Sequence, residues 1–226
     1  MYYYLYVSEA DSIAPFSTGT AGFIAYTVED NAIAASKNFT AQGYHTLVYK
    51  TSGTSNAELT PKLLSYPDEA IAFIMVHEAV HRHIRSIQLN PGYPYIFEEC
   101  LCDAVANKAC LALSKDLKLF SSKAAISQKK IFEQAYSYLN RQRQKIDRAD
   151  TTTRTKLFTQ TTAHIKTIVR HGNQFQKDRM IYTVNNAYFL RNQAYTMHYF
   201  ELKKMLDSGM PGNDIINKIH KQKLQH

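Results

Sequence analysis

Ile71-Ala-Phe-Ile-Met-Val-His-Glu-Ala-Val-His-Arg-His-Ile84 is an apolar run broken by His77, Glu78 and His81, the pattern HExxH. Apolar residues at 71, 74, 75, 80 and 84 recur at helical spacing, and Ala and Met favour a helix over a strand. On a helix, residues four apart sit one above the other, about 6 Å apart along the axis. His77 and His81 can then offer two imidazole nitrogens to one ion, the bite that tetrahedral zinc requires. Glu78 lies about 100° round the helix from His77. That is too far round for a third ligand, but it suits a base that takes a proton from a water at such an ion.

Nine His and nine Glu in 226 residues make a chance HExxH about 1–2% probable, so the downstream sequence has to carry the assignment. A loop, Asn90-Pro-Gly-Tyr-Pro-Tyr95, leads into Ile96-Phe-Glu-Glu-Cys-Leu-Cys-Asp-Ala-Val-Ala106, which again reads as a helix. Glu99 and Asp103 stand four apart on it and share a face. A carboxylate from a second helix supplies the third protein ligand of a catalytic zinc, and Glu99 fits that place. Asp103, one turn on, can accept the outer N–H of a ligating histidine and fix its tautomer. The plain alternative is an amphipathic helix whose two histidines are satisfied core or surface groups.

Composition bounds the rest. With 226 residues, 45% hydrophobic and 20% charged, the chain is expected to be an ordinary globular protein, folding as one compact unit. No stretch approaches the roughly 20 apolar residues of a membrane span. The start, Met-Tyr-Tyr-Tyr-Leu-Tyr-Val-Ser, has neither a basic n-region nor a long apolar h-region. A cytoplasmic protein is therefore expected, unless a leader has been removed. Cys100, Cys102 and Cys110, an odd number bunched on one segment, argue against a disulfide framework and read as small buried thiols.

Charge is uneven. Residues 1–114 hold 6 Lys/Arg against 11 Asp/Glu, a net of −5, and residues 115–226 hold 21 against 8, a net of +13. The division suggests an α/β half with the metal helices at 1–114 and a basic helical half at 115–226. The basic residues are scattered singly along helical stretches, which reads as a solvated face, with nucleic-acid binding disfavoured.

Along the chain, residues 1–20 are Tyr-rich, then Ser/Thr/Gly-rich, with no firm structural reading. Gly22–Val28 and Tyr44–Lys50 read as strands around a helix over Ala32–Gln42 that Gly43 ends. Thr51–Asn56 reads as a loop, and a short helix follows. Pro67-Asp68 opens the metal helix. Beyond residue 112 the pattern is helical near 122–147, 153–170, 185–207 and 212–224.

These residues resemble the gluzincin metallopeptidases, and within them the bacterial predicted-aminopeptidase family. HEAVH followed by Glu99-x-x-x-Asp103 carries the general likeness. The narrower one spreads over Phe23–Tyr26, Gly43-Tyr44, Leu59 to Tyr66-Pro67-Asp68, Asn185-Asn186-Ala187, Tyr195 and Phe200-Glu201-Leu202. The resemblance implies an α+β fold: a zincin-like core with a small N-terminal sheet, an HExxH helix and an all-helical C-terminal half. It implies a zinc-dependent peptidase in which His77, His81 and Glu99 bind one Zn²⁺, Glu78 is the general base and Asp103 stands behind the ligands. The substrate would be a peptide or protein.

Where that family usually has Asn-Glu, this chain has Glu98-Glu99, which makes Glu98 a rival ligand. No Gly-x-Met-Glu-Asn segment for a free amino terminus is present, so peptidase describes the expectation better than aminopeptidase. Oxyanion stabilisation needs a donor besides the metal. Tyr195 comes first, then Tyr188, with His198 a further candidate, while His83 is expected at the surface. An extended substrate would pair along Tyr44–Lys50 and the Thr51–Asn56 loop. The competing expectation is a non-catalytic, basic helical module that binds nucleic acid or a protein partner and carries a vestigial HExxH.

Overall fold

The Tyr-rich start of the chain, unreadable in sequence, forms the middle strand of the sheet. The structure, a computed structural model, describes residues 2–16, 22–51, 60–87 and 95–223. Strand β1 (Tyr3–Ser8) pairs antiparallel with β2 (Phe23–Tyr26) on one side and β3 (His45–Lys50) on the other. Leu5 stands opposite both Ile24 and Val48. Four consecutive β1 residues, Leu5 to Ser8, are buried, so both faces of the strand are covered. That explains the missing alternation, because period-2 patterning marks only strands with one wet face.

Helix α1 (Glu29–Ala41) connects β2 to β3, which flank β1 and so run parallel to each other. It rests on the sheet through fully buried Ala32 and a hydroxyl pair, Ser36 Oγ to Thr46 Oγ1 at 2.8 Å. Gly43, at φ +90°, takes the left-handed turn that leads back into β3. Helix α1 and its flanking strands lie where the sequence puts them, the middle strand β1 is new, and the chain is α+β.

The remaining elements are helical: α2 (Pro61–Leu64), α3 (Asp68–Ser86), α4 (Tyr95–Asp116), α5 (Ser122–Ile146), α6 (Thr151–Val169), α7 (Gln174–Met180), α8 (Asn186–Thr196), α9 (Tyr199–Asp207) and α10 (Gly212–Lys223). None of the described helices is long and apolar enough to cross a membrane. The chain divides into two compact units, Met1–Ser52 with Ile131–Gln193 and Gly53–Lys130 with Ala194–His226. Each unit draws on both of the oppositely charged halves of the sequence.

In the first unit the helical part is tied to the sheet and the chain that follows β1 by side-chain amides and a guanidinium. Asn185 Nδ2 donates to the Thr46 carbonyl at 3.0 Å, and Asn186 Nδ2 to the carbonyls of Glu9 and Ala10 at 2.8 and 3.0 Å. Arg154 also donates to Ala10, at 3.0 Å. The Asn185-Asn186 pair thus satisfies backbone acceptors that the sheet leaves over. Helix α7, absent from the sequence reading, is stopped in front by a capping box, with Asn173 and Gln176 bonding each other's backbone N–H.

The second unit is built on α3 and α4. Thr60 caps α2 through the Leu63 N–H, and Asp68 and Glu69 open α3 in a favourable place for acids. The stripe that α3 buries runs Ala70, Phe73, Ile74, His77, His81 and Ile84. The two histidines therefore lie inside the apolar stripe, and Met75 faces out. From Glu99 to Ala104, α4 is buried at every position, which buries two carboxylates and two thiols with it. The segment near 185–207 is two helices rather than one. Between them the His198 N–H meets Cys100 Sγ at 3.4 Å while that thiol donates to the Ala194 carbonyl at 3.2 Å, so a side chain takes the place of the helical ladder.

Candidate metal centre

Helical geometry sets the site before any metal is considered. His77 and His81, one turn apart on α3, bring their Nε2 atoms to 3.1 Å of each other. Glu99, on the first turns of α4, straddles them. Its Oε2 is 3.2 Å from His77 Nε2 and its Oε1 is 3.4 Å from His81 Nε2. Tetrahedral zinc, with bonds of about 2.0–2.1 Å to N and O, separates neighbouring donors by roughly 3.3 Å. All three separations match that edge. Glu99 Oε2 is buried and accepts no hydrogen bond among the described residues. The two Nε2 atoms lie within hydrogen-bond distance of each other, and with Glu99 beside both they form a donor set that fits a common cation.

The outer ring nitrogens are held as well. His77 Nδ1 lies 2.8 Å from Asp103 Oδ1, close enough for an ion pair but outside hydrogen-bond geometry. His81 Nδ1 lies 2.6 Å from Glu98 Oε1. Glu98 therefore stands behind His81 as Asp103 stands behind His77, on the far side of the ring from Glu99. In this arrangement the Nε2 atom of each ring faces the other ring and Glu99. Burial works against charge on these rings, but their polar neighbours outweigh it. His77 is held above the ordinary imidazole range by Asp103 and Glu99, and His81 by Cys102, Glu98 and Glu99. Burial pushes Glu99 up, but the two histidines more than reverse that and hold its carboxyl below the usual range. Three carboxylates around two imidazoles leave the cluster short of positive charge, which a divalent ion would supply.

Sequence reading missed one neighbour. A ring nitrogen of each histidine and the Sγ of Cys102 all lie within 4.8 Å of one another. All three cysteines are free and buried, as expected of small thiols. The signal for Cys102 was its place on α4, four past Glu98 and three past Glu99, hence on their side of the helix.

The other candidates divide. Glu78 is half-buried on α3. Tyr195 is half-buried, its ring centroid 6.5 Å from that of His77. Tyr188, in the first unit, is fully buried, and its hydroxyl donates to the Met180 carbonyl at 3.0 Å, so its proton is already in use. His198 stacks on Phe97 with centroids 3.6 Å apart. His83 is exposed and bonds Asn213 at 2.7 Å, as its surface assignment required. The expected substrate strand is β3, an edge strand of the first unit, while residues 52–56 of the adjoining loop lie outside the described residues, as does most of the Asn90–Tyr95 loop. A scan against family models, a search of curated proteins and a search of solved structures found no match to this chain.

Proposed function

We propose that this chain is a zinc-dependent peptide-bond hydrolase with a zincin-like active centre. His77, His81 and Glu99 hold one zinc ion, and Glu78 is the general base. The observation that carries the reading is the buried convergence of two Nε2 atoms and one carboxylate, with each outer nitrogen backed by a further carboxylate.

A zinc ion held by these residues acts as a Lewis acid and lowers the pKa of a water to about 7. The chain's own groups do the remaining work. Glu78, the residue after the first ligand, accepts the water proton and returns it to the departing amine nitrogen. Tyr195 donates its hydroxyl to the oxygen that gains charge as the carbonyl is attacked. Asp103 and Glu98 hold the two imidazoles so that neither ring turns away during turnover.

Cleavage of a quenched-fluorescent peptide library tests this directly. Phenanthroline should stop cleavage by the purified chain, and one equivalent of zinc should restore it. A zinc-loaded chain that cuts nothing in the library, both as the native protein and as Cys102→Ala, refutes the hydrolase reading. A second expectation concerns Asp103. Asp103→Asn keeps the shape but removes the charge behind His77, and zinc affinity should fall about 10- to 100-fold in a competition titration against a chromophoric chelator. Undiminished affinity would mean that Asp103 does not orient the ligand.

A further inference from the structure

Of the three thiols, two have backbone partners. Cys100 donates to the Ala194 carbonyl at 3.2 Å, and Cys110 faces the Glu69 carbonyl at 4.0 Å. Cys102 is different: its Sγ shares a 4.8 Å neighbourhood with a ring nitrogen of both His77 and His81, and the residue has no solvent exposure. Cys102 and Glu99, three apart on α4, reach the histidine pair from the same side of the helix. Tetrahedral zinc sets a sulfur donor, bonded at about 2.3 Å, roughly 3.6 Å from a nitrogen donor. A thiol has one χ angle with which to cover the difference.

We infer that Cys102 is a fourth protein ligand, so that His77, His81, Glu99 and Cys102 together close the coordination shell of the resting metal centre. The inference rests on the metal part of the reading above and alters its coordination. As the sulfur–metal bond forms, the S–H bond breaks and its proton leaves to solvent. A closed shell is the mark of a storage or structural site, whereas catalysis requires an open position. Hydrolysis would then begin only when the thiolate is displaced, which makes Cys102 a guard on the centre. A soft donor also favours zinc over calcium, magnesium or manganese.

The test uses the whole chain, loaded with one equivalent of Co²⁺ after removal of zinc. Tetrahedral cobalt gives visible ligand-field absorption, and a thiolate ligand adds an intense near-ultraviolet charge-transfer band. The expected result is both features in the native chain, loss of the near-ultraviolet band alone in Cys102→Ser and in Cys102→Ala, and its retention in Cys100→Ser. Zinc-edge X-ray absorption of the unmutated protein gives the same answer without a variant, as one sulfur at about 2.3 Å. Visible bands without the near-ultraviolet one, or a band that survives in Cys102→Ser, would overturn the assignment and leave the three-ligand hydrolase standing. Failure of the native chain to take up either metal would sink both.

Discussion

Glu78→Gln should keep one zinc ion per chain and lower the kcat for peptide cleavage by about 10²–10⁴-fold, the usual worth of a positioned acid–base group. The amide matches the carboxylate in size and cannot take a proton at neutral pH. Glu78 is not among the residues of the buried cluster proposed to hold the ion, which joins His77, His81, Glu98, Glu99, Cys102 and Asp103. The residue is half-buried, so the substitution should change stability little. Metal content, a denaturation midpoint and kcat together separate the base from a ligand. A base loses only kcat, a ligand loses metal as well, and a bystander loses neither. Full activity in Glu78→Gln would end the proposed proton transfer.

What could be read in the sequence, and what could not, follows from the range of each rule. His77 with His81, and Glu99 with Asp103, are one-turn pairs, and a helix fixes their relative placement without reference to the rest of the chain. Each pair was therefore legible by itself. Glu98 was harder, because helical angle gives a direction and not the neighbour met there. A 100° step set it apart from Glu99, and only the packed pair of helices shows both acids reaching the same histidine, one at each nitrogen. Cys102 was hidden by the correct inference that it is buried, which says nothing about what it is buried against. β1 was missed because a central strand lacks alternation, and the break at His198 because a thiol from α4, far away in sequence, makes it. The hydroxyl of Tyr188 looked available only because its tie to the Met180 carbonyl is a tertiary contact.

His77→Ala should abolish stoichiometric zinc binding and also cost stability in the presence of a chelator, by about 3–5 kcal/mol, the range for breaking a buried ion pair. The cost comes from what the missing ring abandons. Asp103 has no solvent exposure and Glu99 only 7%, and His77 lies 2.8 Å from the first and 3.2 Å from the second. Neither carboxylate can turn to water, so each must either keep its charge without that partner or take up a proton. His81→Ala should lose zinc equally but stability less, because the acid behind it, Glu98, is only half-buried and can rehydrate. The ordering is the informative part. Metal analysis should find both variants empty, and urea midpoints in chelator should put His77→Ala below His81→Ala, with both below the native chain. Reversed midpoints would mean that the Asp103–His77 pair contributes little. Bound zinc in either variant would mean that the two imidazoles are not its ligands, and the hydrolase proposal would go with them.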